Sequence, residues 1–285
     1  MGLSEIREGE LKDVFTALEE AFAANGIDFY IIGALARNVW YARGEKSFRG
    51  TRDVDFAALV SSQEEYEGVR NYLKDHSHFR DTKENSFVMI TPDGIQVDIL
   101  PFGEIEMDDM VTIQGEGMTS IKVNGFSEVY HDGTAEIELF TGHTFKVATL
   151  PAIVLLKLIA YDDRPEKRQK DVKDIANIII HFFELHADLI YDKHTIEFSN
   201  ENDSRSLEQI SASVIGREIQ AISKGNQALY ERLIHILQKH IEGGDASMFV
   251  RNMRIEEERS VDECMSWLKQ MMDGLTANPL AIRTR

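Results

Sequence analysis

Apolar residues recur every three or four positions through Leu11, Val14, Phe15, Leu18 and Phe22, and Gly26 follows. That spacing predicts an amphipathic helix with a glycine stop. The period then shortens. "DFYII" (28–32) reads as a strand, Gly33 interrupts it, and "ALARNVWYAR" returns to helical spacing. "DVDFAAL" (53–59) alternates as a second strand. "SQEEYEGVRNYLKDH" follows as a helix with Ser62 and Glu65 in capping-box spacing. "SFVMI" and "IQVDIL" flank the turn signal "TPDG" and predict a hairpin. "AEIELF" and "TFKVA", joined across Gly142, are two further strands. After Pro151 the alternation ends. "PAIVLLKLIAYDD", "RQKDVKDIANIIIHFFELHADLI" and the remainder read as helices, broken by the polar "SNENDSRS" (199–206). The fold class expected is α/β (α+β): a mixed β-sheet domain over residues 1–150 with flanking helices, then a helical domain over 151–285.

Within "FRGTRDVDF", alternation points Asp53 and Asp55 out of one face of their strand and Val54 and Phe56 out of the other. Side by side, two carboxylates repel unless something positive sits between them. Asp98 occupies a strand of strong β-formers, where a charge facing an apolar core is costly. If that strand lies beside "DVDFAAL", the three carboxylates converge on one face. Such a set calls for cations, and all-oxygen ligands suit Mg²⁺ or Mn²⁺. Two such ions, roughly 3.5–4 Å apart, form the clamp for in-line phosphoryl transfer. One strand upstream, Gly33 opens a helix, a junction where backbone can approach a ligand and N–H groups can meet phosphate oxygens. Taken alone, the D-x-D reads more readily as a pair of exposed strand-end aspartates.

Lys157 lies in "AIVLLKLIA", a helix apolar on nearly every side. A lysine there must snorkel out or find an anion. Beyond it, Lys167 with Asp171 and Lys170 with Asp174 stand at i,i+4, the spacing of surface salt bridges.

Charge changes the picture in one place. A net charge of −18 over 285 residues argues against a broad, non-specific grip on nucleic acid. Between residues 37 and 52, however, Arg37, Arg43, Lys46, Arg49 and Arg52 face only Glu45. Either a polyanion meets the protein there or the run is a solvated basic loop. The single cysteine, Cys264, fits a reducing compartment, no apolar run approaches the roughly 20 residues of a membrane span, and a cytoplasmic protein is expected. The nine histidines lack the company of a zinc site, and "GEIEMDDM" (103–110) reads as a solvated loop.

A strand ending in Gly33, then a helix, "TRDVDF", "QVDIL" and "LLKLIAYDDRPEKRQKDVKDI" together resemble the DNA polymerase β-type nucleotidyltransferase superfamily. The order and the pattern of the last stretch resemble the AbiEii/AbiGii toxin-like nucleotidyltransferases, over roughly Phe29 to Ile180. The resemblance implies a nucleotidyltransferase-type sheet, a nucleoside triphosphate (NTP) donor, two Mg²⁺ (or Mn²⁺) ions and nucleotidyl transfer with release of pyrophosphate. It implies that Asp53, Asp55 and Asp98 are catalytic and hold the metals, with Asp98 orienting the acceptor hydroxyl. Gly33, Ala34, Arg37, Arg52, Lys157, Lys170, Asp171 and Asp174 would bind nucleotide, Asp171 or Asp174 by orienting Lys157 or a nearby arginine. One departure stands out: the family usually has Gly-Gly or Gly-Ser where this chain has Gly33-Ala34. The expected acceptor is RNA or protein, for a toxin paired with an antitoxin protein, or else a small molecule as in antibiotic-modifying relatives. The alternative of another class is a non-catalytic module that binds nucleotide or a partner.

Overall fold

A computed structural model of the chain describes residues 8–44, 53–198, 204–254 and 259–278. The chain divides into two compact units, residues 1–149 and 150–285.

The first unit opens with α1 (Glu8–Asn25), which buries Val14, Phe15, Leu18 and Phe22 and ends at Gly26, φ +66°. Then come β1 (Phe29–Ile31), α2 (Gly33–Arg43), β2 (Asp53–Leu59), α3 (Gln63–Ser77) and β3 (Arg80–Asp81). The hairpin expected around "TPDG" is β4 (Val88–Ile90) against β5 (Gln96–Phe102), antiparallel. A small antiparallel pair, β6 (Met110–Thr112) and β7 (Ser120–Lys122), and the short α4 (Phe126–Asp132) follow. Neither was legible as an element: each is too short for a period to register. β8 (Thr134–Glu138) and β9 (Thr144–Ala148) close the unit as an antiparallel pair.

The main sheet has the order β3-β4-β5-β2-β1-β9-β8. β2 runs parallel to β5 and antiparallel to β1, and β1 runs parallel to β9. One face is dry. Val54, Phe56, Val97 and Ile99 are fully buried there, and Phe15 and Phe22 of α1 set their rings 6.3 and 6.4 Å from that of Phe56. α3 covers the same strands, with the Tyr66 hydroxyl donating to the Ile99 carbonyl at 2.8 Å. Ser62 caps α3 by accepting from the Glu65 N–H. The Glu65 carboxylate takes the N–H of Ser61 at 2.8 Å rather than that of Ser62, so the reciprocal bond is one residue out of the expected box.

The second unit is helical: α5 (Leu150–Asp163), α6 (Gln169–Leu185), α7 (Ala187–Lys193), a 3₁₀ turn at Thr195–Phe198, α8 (Leu207–Ser223), α9 (Gln227–Gly243), α10 (Met248–Met253) and α11 (Val261–Leu275). The expected single helix from residue 168 to 190 breaks at His186, whose φ −132°, ψ 33° leaves helical geometry. Ser206 with Gln209 and Ser260 with Glu263 form complete capping boxes at the starts of α8 and α11. These two helices meet at glycines. A Cβ on Gly216 would overlap the Met271 carbonyl and stand 2.8 Å from the Leu275 nitrogen; one on Gly274 would overlap the Ser213 carbonyl. Only hydrogen at both positions lets the backbones come that close.

Among the described residues no helix is long and apolar enough to cross a membrane.

Candidate active site

β2 and β5 align residue for residue: Asp53 faces Gln96, and Asp55 faces Asp98. Residues paired in register share a face, so Asp53, Asp55, Gln96 and Asp98 project together on the side opposite the dry face. All four are half-buried, while their sequence neighbours Val54 and Val97 are fully buried. The condition on Asp98 is met: its strand lies directly beside "DVDFAAL". The amide of Gln96 donates to Asp98 Oδ1 at 2.8 Å. Gln96 carried no signal of its own beyond sharing strand parity with Asp98.

The second component arrives from β1. The Ile32 N–H donates to the Asp55 carbonyl at 3.0 Å, and the chain then turns at Gly33, φ +67°. A Cβ at Gly33 would stand 3.0 Å from Asp55 Cγ and overlap Oδ2. Glycine therefore serves twice here, for the left-handed turn and for the contact with the carboxylate. α2 begins at once, with no side chain capping its first turn: the N-cap residue is Ile32. Ala34 sits half-exposed in that turn. Arg37 is buried on the same helix, its guanidinium 3.3 Å from Asn38 Oδ1 and over the Tyr41 ring. Trp40 anchors the helix by donating to the Ala148 carbonyl at 2.8 Å. Lys46, Arg49 and Arg52 lie outside the described residues.

In the second unit, Lys157 has found its anion. Its Nζ lies 2.6 Å from Asp171 Oδ1 and 2.8 Å from Asp174 Oδ2. Two carboxylates of α6, one turn apart, thus close on one ammonium of α5, instead of on Lys167 and Lys170 as their i,i+4 spacing suggested. Lys170 stays exposed. Burial by itself would lower the lysine's pKa, but the charges and hydrogen bonds of Asp171 and Asp174 outweigh it and raise it. The group is a fixed cation. Arg168, an arginine near these carboxylates in the same stretch, stands 3.7 Å from Asp171 Oδ2.

Among the described residues, no three histidine, cysteine, aspartate or glutamate side chains are gathered tightly enough to hold a metal ion by themselves.

The family model described as "Nucleotidyl transferase AbiEii toxin, Type IV TA system" matches residues 16–261. No curated protein sequence matches the chain. The solution structure of the antibiotic-resistance factor ANT(2'')-Ia aligns over 82% of this chain and 100% of its own, at 12% identity and a TM-score of 0.39. Lincomycin-bound lincosamide antibiotic adenylyltransferase LnuA aligns over 60% and 98%, at 16% identity and 0.37. An antigenic nucleotidyltransferase-like protein from Paracoccidioides brasiliensis aligns over 68% and 93%, at 15% identity and 0.39. With the family model running over most of its length, the chain belongs to the AbiEii toxin family of nucleotidyltransferases.

Proposed function

We propose that this nucleotidyltransferase moves a nucleoside monophosphate from an NTP to an acceptor hydroxyl through Asp53, Asp55 and Asp98, as the toxin of a toxin–antitoxin pair acting on RNA or protein in the cytoplasm. The observation that carries the reading is the alignment of Asp55 with Asp98 beneath the Gly33 turn. It sets paired hard-oxygen ligands beside an uncapped helix start. Nucleotidyltransferases of this kind usually use a divalent metal. The donor set fits Mg²⁺: this ion is normally held by one or two carboxylates, with substrate phosphates and water completing its shell, rather than by an all-protein cage. When bound, the metal would neutralise charge developing on the phosphates and lower the pKa of the attacking hydroxyl.

The chain's own groups divide the work. Asp53 and Asp55 would hold metal on β2. Asp98 would hold metal and align the acceptor hydroxyl. The N–H groups at Gly33 and Ala34 would receive phosphate oxygens, and the missing serine hydroxyl at position 34 leaves that contact to the backbone. Arg37 and Arg52 would add positive charge. Lys157, fixed as a cation by Asp171 and Asp174, would be a phosphate contact, with Lys170 on the same helix as Asp171.

The test is incubation of the full chain with each α-labelled NTP, Mg²⁺ and total RNA, beside Asp53→Ala, Asp55→Ala and Asp98→Ala. Label is expected in RNA or protein with the wild type alone. Label confined to small molecules would overturn the acceptor. Transfer that survives all three substitutions would overturn the site.

A further inference from the structure

We infer that Gln96 is a positioning residue for the carboxylate set, acting through Asp98; this rests on the carboxylates' role proposed above. Gln96 begins β5, faces Asp53 in register, and lies two residues before Asp98 on the same face. Its Nε2 donates to Asp98 Oδ1 at 2.8 Å. The bond fixes one oxygen of Asp98, and with it the plane of the carboxylate. A side-chain amide suits this place better than a cation would. Lysine or arginine would neutralise Asp98 and compete with a bound metal. Glutamine orients the oxygen and leaves its charge in place. It also stands opposite Asp53 as a neutral dipole instead of a fourth carboxylate on that face. Carboxylates that ligate metals are commonly held by such outer hydrogen bonds, and removing one costs about 10–100-fold in metal affinity or activity.

The experiment uses Gln96→Met, which keeps length without a donor, and Gln96→Glu, which keeps shape but cannot donate when ionised. Mn²⁺ alone is titrated onto wild type, Gln96→Met and Asp98→Asn, with free ion read by electron paramagnetic resonance. Turnover, thermal midpoint and the KM for NTP are measured alongside for both Gln96 variants. Asp98→Asn is expected to lose saturable Mn²⁺ binding, and Gln96→Met to weaken it about tenfold. Both Gln96 variants should lose about tenfold in kcat, with KM and thermal midpoint near wild type. A merely structural role would move the midpoint first. If the wild type binds no Mn²⁺, or Asp98→Asn binds it as well as wild type does, the carboxylate reading falls and Gln96's role with it. If Asp98→Asn loses the metal while Gln96→Met binds Mn²⁺ like wild type and both Gln96 variants turn over like wild type, the role of Gln96 alone is overturned.

Discussion

Gly33 and Asp55 occupy adjoining space: the turn that starts α2 passes so close to the carboxylate that a methyl group at Gly33 would stand 3.0 Å from Asp55 Cγ. The Ile32 N–H, bonded to the Asp55 carbonyl, holds the two segments at that separation. The glycine and the D-x-D are therefore one structural unit, although about twenty residues separate them in the chain.

Gly33→Ala is expected to be damaging on two counts. An L-residue at φ +67° is strained, and its Cβ displaces the Asp55 carboxylate. Stability should fall by about 1–3 kcal/mol, and nucleotidyl transfer by about a hundredfold, as for a misplacement near 1 Å at a reacting centre. Urea denaturation and label transfer report the two effects separately. Unchanged transfer in a destabilised protein would show that the close approach serves folding alone.

Lys157→Met is expected to take from Asp171 and Asp174 the ammonium they share, leaving Arg168 at 3.7 Å from Asp171. Lys157 is only 12% exposed, and breaking a buried pair from one side costs about 3–5 kcal/mol. Asp174→Asn should cost less, since that carboxylate is 26% exposed and Asp171 still holds the lysine. The raised lysine pKa adds a pH signature. Its stabilisation is fully present below the unfolded pKa of about 10.4 and is lost as pH rises through the higher folded value. The gap between wild type and Lys157→Met should stay constant from neutral pH to about 10 and narrow above it.

Much of the frame was legible because it rests on local periods. The strand "DVDFAAL" appears as β2 over the same residues, and the hairpin around "TPDG" is β4 and β5. What the sequence could not supply were choices made by tertiary contact. Whether Asp98 stood near Asp55 depended on β5 lying parallel to β2, which no local pattern specifies. Lys157 was legible as a cation in need of an anion. The family resemblance pointed Asp171 or Asp174 at it, and both reach it; the i,i+4 spacing with Lys167 and Lys170 pointed elsewhere, because local spacing competes with a contact that α5 makes only in the folded unit. Gln96 was silent, since a glutamine beginning a strand is ordinary until its amide is found on Asp98.

His240 should generate an acid-sensitive limb of stability. It is 7% exposed, stacked on Phe249 with centroids 4.5 Å apart, and bonded through Nδ1 to the Ser247 hydroxyl at 3.1 Å. Burial, aided by the nearby Lys239 charge, pushes its pKa down to about 4. The folded chain therefore keeps the ring neutral while the unfolded chain protonates near pH 6.5. Between those values the unfolded state binds more protons, so stability falls as pH drops from about 6.5 to 4, by roughly 2–3 kcal/mol. His240→Phe keeps the stack and should flatten that limb in denaturation curves measured across the range.

Glu197 should own a second, lower limb. This 2%-exposed carboxylate receives Arg205 at 2.6 Å, Arg217 at 2.7 Å and the Ser213 hydroxyl at 3.0 Å, joining the 3₁₀ turn to α8. Burial raises its pKa, but the two arginines outweigh burial and leave it below the ordinary value. A depressed carboxylate stabilises above its unfolded pKa of about 4.3, and that stabilisation is lost as pH falls through the folded value. Glu197→Ala leaves two guanidiniums facing each other and is expected to cost about 3–5 kcal/mol at neutral pH. It should also reduce the loss of stability below pH 4, part of which Asp162, held low by Lys239 and Arg232, still supplies, while leaving the His240 limb intact. A variant that kept the low-pH loss at its full size would place that titration on other carboxylates such as Asp162. The double variant with His240→Phe should be additive, since the two groups share no partner among the interactions named here.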